Sequence, residues 1–189
     1  MKLNQTSSRD LANGICVEVG VWEGEFTEQI LLKSNVTKVF CVDPYNHFVN
    51  NEYPDGMNDI SQKEFDGVFS KTYNKLTSRF GDRVVFIRDV SVNASVQFAD
   101  ESVDFVYIDG NHDYKYVLED LKSWYPKVKS GGFLCGDDVY SSDLSEHDSD
   151  GNVTRIWSDK FWGKYGTYKA LVDFGKKFEV TENQFKIIK

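Results

Sequence analysis

A doubly wound α/β fold, with a mostly parallel sheet and a C-terminal antiparallel hairpin strand, is predicted by three observations. Short near-continuous apolar runs alternate with amphipathic helical stretches, as parallel strands covered on both faces require. Three of the five runs close on Asp, and a fourth is followed closely by one. The chain closes on an alternating segment with a polar break.

The strand candidates are Ile15–Gly20, Lys38–Asp43, Arg83–Arg88, Val103–Asp109 and Gly132–Asp137. Between them, helical spacing groups Phe26, Ile30 and Leu31; then Phe65, Val68, Phe69, Tyr73, Leu76 and Phe80; then Val117, Leu118, Leu121, Trp124 and Val128. A last stripe holds Tyr168, Leu171, Val172 and Phe178, and Val92, Val96 and Phe98 suggest a short helix or turn. Residues 178–188 read as a terminal hairpin breaking at Glu182-Asn183. Residues 44–60 and 139–166 read as loop insertions in one domain spanning residues 1–189.

Thirty Asp+Glu against 22 Lys+Arg give a net charge of -8, which argues against nucleic acid or an anionic membrane as the main partner. No apolar run reaches the roughly 20 residues that span a bilayer, and MKLNQTSSRD lacks the apolar core of a signal peptide. Cys16, Cys41 and Cys135 lack metal-type spacing and read as buried thiols of a reducing compartment. The expectation is a cytoplasmic protein.

Ligands of such sheets bind beyond the carboxyl ends of the strands. Here that edge carries Asp43, Asp109 and Asp137, with Asp89 close behind the third run. Each could serve as a cap or turn residue, but four at corresponding ends suggest a site. Glu18-Val19-Gly20-Val21-Trp22-Glu23-Gly24 lies at the first strand–helix junction. Gly20 allows a sharp turn and close approach of backbone to a ligand, and Gly24 opens a helix. The glycines are spaced G-x-x-x-G with Trp22 between them. That spacing disfavours a dinucleotide, whose fingerprint is G-x-G-x-x-G.

These residues resemble the first motif of the class I S-adenosylmethionine-dependent methyltransferases, an acid followed by x-G-x-x-x-G, with Glu18, Gly20 and Gly24 in place. The resemblance implies a Rossmann-like methyltransferase sheet and S-adenosylmethionine as cofactor. It assigns Asp43 to the ribose hydroxyls and places Asp89 and Val90 beside the adenine. Trp22 is read as packing on the loop or flanking the cofactor. Residues 103–114 (VDFVYIDGNHDY), with Lys129-Ser130-Gly131-Gly132 and Gly136-Asp137-Asp138, are similar to small-molecule O-methyltransferases of the sugar, macrolide and catechol type.

In metal-dependent members the matching positions, Asp109, Asp137 and Asp138, hold Mg²⁺; hard oxygens suit Mg²⁺ or Mn²⁺, while capping and solvation are the structural alternative. His112, in the D-G-x-H context, is the candidate general base, and Asp109 is grouped with it as catalytic and also with the cofactor-binding residues. The expected activity is methyl transfer to a hydroxyl of a small molecule. A non-catalytic cofactor-binding or partner-binding module of the same fold is the alternative. Acceptor contacts are expected from residues 44–60, residues 139–166 or a partner subunit of a homo-oligomer. Trp157, Phe161, Trp162 and Tyr165 suit stacking on a sugar or flat ring, or a dimer contact.

Overall fold

The structure, a computed structural model, describes residues 6–48, 60–139, 145–147, 153–156 and 166–189. Helices α1 (Thr6–Leu11), α2 (Glu25–Leu31), α3 (Gln62–Phe80), α4 (Ser91–Ser95), α5 (Tyr114–Trp124) and α6 (Thr167–Phe174) flank one large sheet. Its strands are β1 (Gly14–Val19), β2 (Val36–Val42), β3 (Val84–Ile87), β4 (Val103–Ile108), β5 (Val128–Gly136), β8 (Glu179–Thr181) and β9 (Gln184–Ile188). β6 (Ser145–His147) and β7 (Val153–Ile156) form a separate antiparallel pair.

The strand order is β3-β2-β1-β4-β5-β9-β8. β1 pairs in parallel with β2 and β4, β2 with β3, and β4 with β5; β9 is antiparallel to β5 and β8. The order reverses direction between β1 and β4, the switch point where ligands of such sheets bind.

Period-two alternation sorts each strand between two cores. Cys16, Phe105, Tyr107 and Cys135 face a core with Phe26, Ile30, Phe65 and Leu76. Their neighbours Val17, Val106, Ile108 and Leu134 face the other, with Val117, Leu121, Trp124 and Leu171. All three cysteines are buried free thiols. Burial pushes the Cys16 and Cys135 thiols up to about 12, which keeps them protonated and inert.

The expected elements are present with shifted ends. The α5 stripe includes Val128, but Pro126 lies in a one-turn 3-10 helix after α5, and Val128 opens β5. The stripe continued to Phe178 stops at Gly175, a left-handed residue (φ 71) that ends α6. The β6–β7 pair and α1 carried no recognised periodicity. Glu182 and Asn183 form the hairpin tip, both with positive φ (51 and 69), as a two-residue turn requires.

At the opposite strand ends, Asp104 accepts from the Ile15 amide (2.8 Å) and from Lys129 Nζ (2.8 and 2.9 Å). The Lys-Ser-Gly-Gly segment, expected as a turn before the strand, lies inside β5 and is anchored at the amino ends of β1 and β4. A Cβ at Gly132 would lie 2.8 Å from the Asp104 carbonyl oxygen, so the strand needs glycine there.

Leu134 is 0% exposed in the middle of the sheet, and Val96 is 76% exposed. Leu134→Ala is expected to cost about 2–5 kcal/mol in urea denaturation. Val96→Ala is expected to cost no more than about 0.5 kcal/mol.

Candidate active site

Four loops meet beyond the carboxyl ends of β1, β2, β4 and β5. The first, residues 20–24, is held by Asp43. Asp43 Oδ2 accepts from the amides of Val21 (2.9 Å) and Trp22 (3.0 Å), and Oδ1 accepts from the Tyr45 amide (2.8 Å). Amide hydrogen bonds to a charged acceptor contribute about 1.5–3 kcal/mol each. They hold Trp22 (φ 48) and Tyr45 (φ 44) in left-handed conformations that non-glycine residues seldom adopt. The Tyr45 and Thr72 hydroxyls donate to the Trp22 carbonyl at 2.7 and 3.0 Å, and Lys75 Nζ donates to that of Glu23 at 2.7 Å. The Trp22 indole meets Phe65 edge-on. It therefore packs on the loop and α3.

Gly20 has φ 85, and a Cβ there would lie 2.0 Å from the Asp109 carbonyl oxygen. The loops after β1 and β4 touch at that point, with Asp109 N–H donating to Val19 O (2.7 Å). Gly24 is also left-handed (φ 69), and a Cβ there would meet Leu76 and Thr72 at 2.8 and 2.9 Å. Gly20 is required sterically by the Asp109 main chain, and Gly24 is favoured by its left-handed backbone.

Glu18 is 1% exposed and accepts from the Thr27 hydroxyl and the Thr27 amide at the start of α2. Burial, partly offset by these bonds, pushes its carboxyl up to about 8. Asp89 Oδ1 accepts from the Val90 amide (2.7 Å) and Asn93 Nδ2 (3.1 Å), which fixes the turn into α4. Trp124 Nε1 donates to Ser91 Oγ (2.8 Å), and Ser91 is hydrogen-bonded to buried Asp120, which burial pushes up to about 7. These polar groups underlie the loop that the sequence resemblance places by adenine.

His112 follows β4. Its Nε2 lies 3.7 Å from Asp109 Oδ1 and 3.5 Å from Asp138 Oδ2. The His112 carbonyl accepts from the Gly166 amide (2.9 Å), so α6 braces it from behind. Asp138 has φ 54 and donates its amide to Asp137 Oδ1 (2.8 Å). Asp137 is 7% exposed and hydrogen-bonded to the Tyr107 hydroxyl.

The strand-end acids thus fall into two sets, one organising the first loop and one around the imidazole. Among the described residues, no group of three or more His, Cys, Asp or Glu side chains converges to hold a metal ion. Asp109 and Asp138 face His112, while Asp137 is turned to Tyr107 and to the Asp138 amide. Sequence reasoning missed Thr27, Tyr45, Tyr107 and Asn183. A tyrosine hydroxyl inside an apolar strand, and an asparagine at a hairpin tip, were the available signals. His47 donates its amide to Gln62 Oε1 (2.9 Å) at the start of α3. His147 lies in β6, and the aromatic run at 157–165 lies outside the described residues.

Glu18 has a testable consequence. Its proton is held more tightly in the fold (about 8) than at its ordinary value (4.5), so its stabilising contribution is complete below that value and is lost as pH rises through about 8. Asp120, raised to about 7, acts in the same direction. Between pH 5 and 8 Glu18→Gln is expected to lose stability less steeply than wild type, by up to about 1.4 kcal/mol per pH unit. Parallel curves in urea denaturation would contradict the assignment.

A family profile described as a methyltransferase domain matches residues 17–139. A curated relative, the uncharacterized protein R132 of Acanthamoeba polyphaga mimivirus, is 24% identical over 163 residues, 82% of this chain and 65% of that protein. The chain therefore spans less than two thirds of that relative's length. Among solved structures, a putative caffeoyl-CoA O-methyltransferase from Staphylococcus aureus superposes with a TM-score of 0.58 at 14% identity, over 93% of this chain and 76% of that one. A putative rRNA-methylase from Clostridium thermocellum gives 0.57 at 14% identity, over 99% and 94%. The 1,6-didemethyltoxoflavin-N1-methyltransferase of Burkholderia thailandensis, solved with S-adenosylhomocysteine, gives 0.55 at 11% identity, over 100% and 79%. At these identities the structural likeness speaks for the fold. With the profile covering well over half its length, the chain belongs to the methyltransferase-domain family, within the class I S-adenosylmethionine-dependent methyltransferases.

Proposed function

We propose that the chain transfers a methyl group from S-adenosylmethionine to a hydroxyl of a small molecule. The observation that carries the reading is an imidazole set between two carboxylates, Asp109 and Asp138, at the carboxyl ends of β4 and β5. Bound cofactor supplies an electrophilic methyl on a cationic sulfur. The chain's residues suit that ligand: a glycine turn with no room for a side chain, and acidic groups for a cation. Gly20, Trp22 and Gly24 line the first loop, Glu18 and Asp43 hold it in shape, and Asp89 and Val90 begin the loop on the adenine side.

Bound there, the cofactor would offer its methyl carbon to in-line attack by the acceptor oxygen, with the carbon–sulfur electron pair going to sulfur. The hydroxyl proton passes to His112. Asp109 and Asp138 meet the charge that His112 gains, and alignment of oxygen against methyl supplies much of the rate.

Asp109, Asp137 and Asp138 offer the oxygen chemistry of a Mg²⁺ or Mn²⁺ site. As placed, however, their side chains do not form a three-carboxylate chelate, and no step here passes through a cation. The acidic surface balance supports a small acceptor over nucleic acid. A second copy of the chain is proposed as the partner if residues 139–166 serve an interface.

Methyl turnover over a panel of hydroxylated acceptors tests the reading. His112→Ala is expected to lower kcat by about 10²–10⁴-fold, the usual contribution of a positioned base. Cofactor binding without turnover on any acceptor would leave a non-catalytic binding module. Turnover abolished by chelator and restored by Mg²⁺ would move Asp109 and Asp138 from the imidazole to a cation.

A further inference from the structure

Asp138 lies near His112 with a left-handed backbone (φ 54), a conformation that aspartate adopts more readily than most non-glycine residues. Two independent supports converge on that turn, and both come from the C-terminal hairpin.

The first is the hairpin tip. Asn183 Nδ2 donates to Asp138 Oδ1 (3.2 Å), and the Asn183 carbonyl accepts from the Val139 amide (3.0 Å). Side chain and main chain of one residue thus brace Asp138 and its successor. Asn183 is itself left-handed (φ 69), a conformation that asparagine tolerates better than most residues.

The second support is a buried polar chain. Gln184 opens β9 and is 2% exposed. Its Oε1 accepts from the Ser8 amide of α1 (3.2 Å), and its Nε2 donates to the Tyr107 hydroxyl (3.0 Å). The Tyr107 hydroxyl has one proton to give, and it is hydrogen-bonded to Asp137. Asp137 Oδ1 in turn accepts the Asp138 amide (2.8 Å). Polar atoms on Tyr107 and Gln184 within an apolar core are costly unless mutually satisfied, so the chain has one arrangement.

We propose that Tyr107, Asn183 and Gln184 are positioning residues, which hold the Asp137–Asp138 turn so that Asp138 faces His112. The C-terminal hairpin is therefore part of the active-site support as well as the sheet edge. This rests on His112 being the working base, as the reading above has it.

The test needs no acceptor. The His112 imidazole is observed by long-range ¹H–¹⁵N correlation, with His112→Gln assigning its signals and Asp138→Asn marking their position when the carboxylate is lost. Tyr107→Phe and Asn183→Ala are expected to move the His112 signals toward those of Asp138→Asn. S-adenosylhomocysteine affinity, by calorimetry, is expected to stay within about twofold, as for independent sites. His112 signals unchanged in Asn183→Ala and in Tyr107→Phe, while Asp138→Asn moves them, would overturn the proposal. So would signals indifferent to Asp138→Asn. Asn183 lies in a surface turn, so its variant keeps the test open if Tyr107→Phe does not fold. Failure of wild type to bind S-adenosylhomocysteine counts against the methyl-transfer reading alone, because the imidazole signals are read without cofactor.

Discussion

The Asp43 carboxylate is the point on which the carboxyl edge of β1 and β2 depends. It directly follows β2, yet it spends its oxygens on amides from the loop after β1 and from its own loop. Those bonds fix Trp22 and Tyr45 in uncommon backbone conformations, and the Tyr45 hydroxyl then closes back on the Trp22 carbonyl. Two neighbouring parallel strands are thereby tied at their carboxyl ends. Gly20 adds the third strand, because its lack of a side chain lets the β1 and β4 loops touch. A sheet edge that would otherwise present separate loops becomes one floor for a ligand.

The other half of the site is held from further away in sequence. His112 is braced by the start of α6, and Asp138 by the tip of the C-terminal hairpin. Residues 166–189 therefore close the fold and also orient groups at the ends of β4 and β5. Rigid strands place these groups, while the left-handed turns at Trp22, Tyr45 and Asp138 aim them, an arrangement common where a fold accepts local strain for function.

Much of this was legible in the chain. Apolar runs with period-two alternation located the five parallel strands, and the acids after them marked the carboxyl edge. Gly20 was readable as a sharp-turn residue and Gly24 as a helix start, because they sit at the junction between the first apolar run and the next helical stretch. What each acid touches was not readable. Asp43 and Asp89 both bond main-chain amides, and Asp137 bonds a tyrosine from another strand. The partners of Asp43 and Asp137 depend on long-range packing, whereas Asp89 takes the local turn role, bonding the next amide and Asn93. Tyr107 counted as one more apolar residue in its run, although its hydroxyl joins β4 to β9. The ends of α5 and α6 shifted because Pro126 and Gly175 override the hydrophobic stripe.

The role of Asp43 as the organiser of the cofactor loop is the central claim, and calorimetric titration of S-adenosylhomocysteine into wild type and Asp43→Asn tests it most directly. The amide keeps the size of the side chain but replaces one acceptor oxygen by a donor that opposes the loop N–H groups. Wild type is expected to bind, and Asp43→Asn to lose affinity by at least about tenfold, the equivalent of one charge-assisted hydrogen bond. Equal affinity in the two proteins, with both folded, would contradict the account.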